Sequence, residues 1–61
     1  MLTFEEANLF LRAGDDMRFA QWPHGDFIRM VEGLPRVVVG YAIERYIPSS
    51  AEQIQPLWRR A

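Results

Sequence analysis

The chain has 61 residues, with seven arginines, no lysine, eight acids and a formal net charge of -1. A chain this short holds one small domain, residues 1–61, and buries only about 60% of the surface its unfolded form exposes. Folds of this size usually need a staple. Disulfides are excluded because there is no cysteine, and a structural zinc site has only His24 to draw on.

Hydrophobic residues still make up 49% of the sequence and aromatics 13%. Either a well-packed monomer or a subunit that hides apolar surface in an oligomer accounts for this, and the excess favours the oligomer. The arginines are spread from Arg12 to Arg60 and interleaved with acids, which argues against binding to a nucleic-acid backbone. The exclusive use of arginine fits a GC-rich coding bias, with a rigid fork for carboxylate or phosphate as the functional alternative. No apolar run reaches the roughly 18–20 residues of a membrane span, and nothing resembles a secretory leader. The lack of cysteine fits a cytoplasmic setting.

Thr3 to Ala13 is predicted as a helix. Thr3-Phe4-Glu5-Glu6 has the pattern of a capping box. Phe4, Ala7, Phe10 and Leu11 form its apolar stripe, with Leu2 as a weak staple onto Ala7, and Gly14 ends it. Met17 to Trp22 reads as a strand with Met17 and Phe19 on one face and Arg18, Ala20 and Trp22 on the other. Pro23-His24-Gly25-Asp26 is a turn, with His24 solvated. Phe27 to Glu32 is a second strand, and Gly33-Leu34-Pro35 a tight connection.

The strongest strand signal is Arg36 to Ile43, whose near-continuous apolar run predicts burial on both faces, with Gly40 marking a bulge or close approach. Tyr46-Ile47 extends this sheet or forms a further short strand. Pro48-Ser49-Ser50 opens a second helix, capped by Ser49 with Glu52 or by Ser50 with Gln53, and Pro56 limits it to about one or two turns. The resulting fold class is α+β: an N-terminal helix packed on a small antiparallel sheet of three to four strands, with a short C-terminal helix.

Catalytic and metal chemistry find little support. His24 has no ligand partner nearby, Ser49-Ser50 lack a second histidine to serve as base, and no phosphate loop or dinucleotide fingerprint occurs among the scattered glycines. No catalytic residue, metal or cofactor is therefore expected. Trp22, Tyr46 and Trp58 lie at predicted element ends. There they stack on a planar ligand beside phosphate-binding arginines, or they cap the core of a small protein.

Several motifs, in order, resemble the second Thoeris anti-defence family, small phage proteins first catalogued as a domain of unknown function. They are Thr3-Phe4-Glu5-Glu6-Ala7 with Leu11 and Gly14, the basic strand ending in Trp22, the hydrophobic strand Phe27-Ile28-Arg29-Met30-Val31, and Tyr46-Ile47-Pro48-Ser49 leading to Trp58. The resemblance covers nearly the whole chain. Phe19 stands where the family usually has arginine, Tyr46 where tryptophan is common, and a mid-domain insertion is missing. The resemblance implies a non-enzymatic sponge in the cytoplasm of an infected bacterium. It would be a homo-oligomer (dimer or tetramer) that sequesters cyclic or ADP-ribose-type nucleotide signals between protomers and releases them unchanged. It also implies that Trp22 and Tyr46 stack on a base, that Ser49, following Pro48, receives a phosphate with the helix amides, and that Arg18 adds charge nearby. No nucleic acid or membrane partner is implied. A protein–protein inhibitor of a defence complex, in the manner of an anti-CRISPR, is the alternative.

Overall fold

The computed structural model describes residues 1–23 and 25–61, so the solvated turn expected at His24 lies outside the described residues. Helix α1 (Phe4–Arg12) starts where its cap demands. The Glu6 amide donates to the Thr3 hydroxyl at 3.2 Å, and the Thr3 amide donates to the Glu6 carboxylate at 2.9 Å. These bonds hold the Glu6 carboxyl below its usual pKa. The helix ends in a Schellman turn: Gly14, at φ 102°, donates its amide to Leu11, and Asp15 donates to Phe10.

Five strands follow: β1 (Met17–Phe19), β2 (Phe27–Val31), β3 (Leu34–Val39), β4 (Ala42–Arg45) and β5 (Trp58–Arg60). They form one antiparallel sheet in the order β4-β3-β2-β1-β5. Helix α2 (Ser50–Ile54) lies between β4 and β5. The α+β class stands, but the sheet has five strands where three to four were expected. Tyr46-Ile47 is not a strand; the additional strands come from the division of Arg36–Ile43 and from β5, whose three residues after Pro56 carry no alternation long enough to read.

The expected strand Arg36–Ile43 is two strands. Gly40, at φ 60°, and Tyr41 form a two-residue turn, so Gly40 makes a hairpin and not a bulge. The run is consequently not buried on both faces: Val37 and Val38 are half-buried and Val39 is 42% exposed. The preceding turn is Glu32-Gly33, at φ 52° and 80°, a left-handed pair of the I′ kind, which leaves Leu34 and Pro35 inside β3. Pro35 lies opposite Tyr46, whose amide donates to the Pro35 carbonyl at 3.3 Å. With no amide to return, Pro35 breaks the ladder there, and β4 ends at Arg45.

β1 also stops early. Trp22 is not in the strand but in a turn, with its amide donating to Phe19 at 3.0 Å. The Arg18 guanidinium braces that turn by donating to the carbonyls of Trp22 and Pro23 at 2.8 and 2.9 Å.

The core lies between α1 and one sheet face: Ala7, Leu11, Met17, Phe19, Ile28 and Trp58 are buried. Leu2 bridges to Trp58 in the backbone and ties the N-terminal segment to β5. Alternation then sends Arg18, Arg29, Arg36, Arg45 and Arg59 to the opposite face. Arginines scattered along the chain are thus gathered in space.

Glu32 occupies a left-handed position that is unfavourable for a residue with a Cβ. Glu32→Asn is expected to raise stability by about 0.5–1 kcal/mol in urea unfolding, since Asn-Gly is the preferred pair for this turn. An unchanged or lower midpoint would show that the turn carries no such strain.

Candidate functional site

The second helix starts with the expected Ser49–Glu52 capping box, and not with Ser50 and Gln53. The Glu52 amide donates to the Ser49 hydroxyl at 3.2 Å, and the Ser49 amide donates to Glu52 Oε1 at 3.1 Å. The same carboxylate reaches further. Tyr46 donates its hydroxyl to Oε1 at 2.8 Å, and Trp22 Nε1 donates to Oε2 at 2.7 Å. The Glu52 carbonyl accepts from Trp58 Nε1 at 2.8 Å. One residue thus satisfies both indoles and the phenol, groups that burial would otherwise leave without a partner.

Around it the rings meet mostly edge to face. Trp22 lies 5.3 Å from Trp58 and 5.8 Å from Tyr46, and Phe19 lies 5.3 Å from Trp58. Burial, followed by the hydrogen bond to Glu52 and its negative charge, raises the Tyr46 phenol well above its usual pKa. Tyr46 therefore stays neutral and acts as a donor.

Trp22 and Tyr46 open onto a hollow of about 280 Å³ that Asp26, Arg45 and Glu52 also line. A second hollow of about 490 Å³ adjoins it, lined by Pro35, Arg36, Arg45 and Tyr46 among others. Arg45 and Tyr46 belong to both, so the two form one groove at the β4 edge. Neither Arg36 nor Arg45 has a carboxylate within ion-pair distance among the described residues. The groove therefore offers partly exposed rings and two free cations.

Of the residues singled out from sequence, Trp22 and Tyr46 come together here, and the other three do not. Arg18 is spent on backbone carbonyls and lines a different hollow, beside Arg59. Ser49 has both its hydroxyl and its amide engaged by Glu52, which holds the position expected for a phosphate. Pro48 lines neither hollow of the groove. The missed residues are Arg36, Arg45 and Glu52. Two of them had a signal: positions 36 and 45 are equidistant from the Gly40-Tyr41 turn, so a hairpin there makes them partners. Among the described residues, no group of acids or histidine could hold a metal ion.

Glu52→Gln is expected to cost about 2–3 kcal/mol in urea unfolding, because its amide nitrogen would face another donor. A change under about 0.5 kcal/mol would show that the network contributes little. Tyr46 adds a pH signature. A folded pKa above the unfolded value gives stability that is complete at neutral pH and is lost as pH rises past about 10, where only the unfolded phenol ionises. Tyr46→Phe should flatten this alkaline decline, and an unchanged decline would assign it to another group.

Compared with protein-family models, curated proteins and solved structures, the chain finds no match in any of the three.

Proposed function

We propose that the protein is a binding protein without catalysis. It sequesters a phosphorylated nucleotide signal, of the cyclic or ADP-ribose type, and releases it unchanged. The observation that carries this reading is the groove around Arg45 and Tyr46, with Trp22 in one of its hollows and Arg36 in the other, both arginines being without a carboxylate partner among the described residues. Guanidinium forks suit phosphate oxygens, and rings suit a base. The resemblance to the second Thoeris anti-defence family supports the same reading. It points to a phage-encoded homo-oligomer, dimer or tetramer, acting in the cytoplasm of an infected bacterium.

The groove is open on its outer side, where Ile47 is 74% exposed beside Tyr46. A neighbouring protomer at this edge would close the groove over its ligand, as sequestration requires. No helix among the described residues is long and apolar enough to cross a membrane.

Calorimetry against cyclic di- and trinucleotides and ADP-ribose isomers is the direct test. At least one is expected to bind tighter than about 10 μM, about −7 kcal/mol, and to be recovered intact by mass spectrometry. Arg45→Ala should weaken that binding at least about tenfold without altering elution on sizing. Trp22→Ala is the poorer probe, because it also removes a hydrogen bond to Glu52 and three ring contacts. Failure of every ligand in the panel to reach that affinity, or recovery of a cleaved product, would sink the proposal.

A further inference from the structure

The sheet face opposite α1 has no covering element among the described residues, and its side chains form rows. Arg29, Arg36 and Arg45 stand directly opposite one another across β2, β3 and β4. Directly opposed like charges are unfavourable in an antiparallel pair. Counting from the Gly40-Tyr41 turn, Arg36 and Arg45 fall at a non-hydrogen-bonded position, where side chains come closest. Only Arg29 has a carboxylate beside it among the described residues, Asp16 at 2.8 Å. The chain has a net charge of -1, yet it leaves these two cations side by side without a counter-charge. Apolar rows flank them: Phe27, Val38 and Ile43 on one side, Val31 and Leu34 on the other. Leu34 is 55% exposed and Ile43 65%.

We propose that this face docks an acidic, aliphatic segment of another protein, with carboxylates on the Arg36–Arg45 pair and branched side chains on the flanking rows. Charge complementarity selects an anionic partner. The flanking rows select protein over nucleic acid, because bases bind by stacking on exposed rings. The single ring on this face among the described residues, Phe27, is already covered by the Arg29 guanidinium, 5.2 Å from its centroid. A second copy of the same face would set one arginine row against another. This face shares Arg36, Arg45 and Leu34 with the groove, whereas Val38 and Ile43 line neither of its hollows, so Ile43 tells the two readings apart.

The test is fluorescence anisotropy on the whole protein with three labelled probes: a short amphipathic peptide of Glu and Leu, its Gln-for-Glu counterpart, and an oligothymidylate. The acidic peptide is expected to bind at least about tenfold tighter than its Gln counterpart and to weaken as salt rises. Ile43→Ser and Arg36→Gln should each weaken it about tenfold, and Ile43→Ser should leave nucleotide binding in the groove unchanged. Equal affinity of the two peptides, or no binding of either, would overturn the proposal. So would an oligothymidylate that binds tighter than the acidic peptide and is indifferent to Ile43→Ser, which marks a nucleic-acid surface. Self-association lost on Ile43→Ser would assign the face to a second copy instead.

Discussion

Glu52 is the residue on which the rest of the structure depends. A protein this small cannot bury three polar-tipped aromatic side chains unless each tip finds a partner, and without cysteine no disulfide relieves the burden. Glu52 meets all three from one position, with its carboxylate on Trp22 and Tyr46 and its carbonyl on Trp58. Its remaining capacity closes the cap of α2. A five-residue helix with no buried side chain has little intrinsic reason to persist. It persists because its cap residue is also the hydrogen-bonding hub of the aromatic cluster.

That arrangement depends in turn on where strands end. β1 ends at Phe19, and the Arg18 guanidinium bends the following turn so that Trp22 enters the cluster. β4 ends at Arg45 because Pro35 has no amide to offer, which frees Tyr46 to reach Glu52. The groove at the β4 edge follows from these two interruptions. Arg18 is thus a structural brace, and the cations that face the groove come from β3 and β4.

Where local chemistry acts within a few residues, the sequence was readable. The Thr3 and Ser49 caps, the Gly14 stop and the alternation of Met17 and Phe19 all appear as written. The run through Val37–Val39 reads as one long strand, and the structure divides it, because three β-branched residues favour β structure equally well in a continuous strand and in one arm of a hairpin. Gly40 alone carried the distinction, and a single glycine fits a bulge as well as a turn. At Ser49 the residues themselves read as a cap with Glu52, and only the family resemblance implies a phosphate there. Here the anion is the chain's own Glu52.

By itself, then, the sequence determined the α+β class, both caps, the apolar stripe of α1 and the presence of aromatic residues at element ends. These rest on interactions of short range or simple period. Only the tertiary structure decided that Trp22, Tyr46 and Trp58 share one acceptor, that Arg36 and Arg45 stand side by side, and that arginines spread along the chain gather on one face. Each of these depends on strand register, and register is set by two-residue turns whose shift by one position would send every side chain to the other side of the sheet.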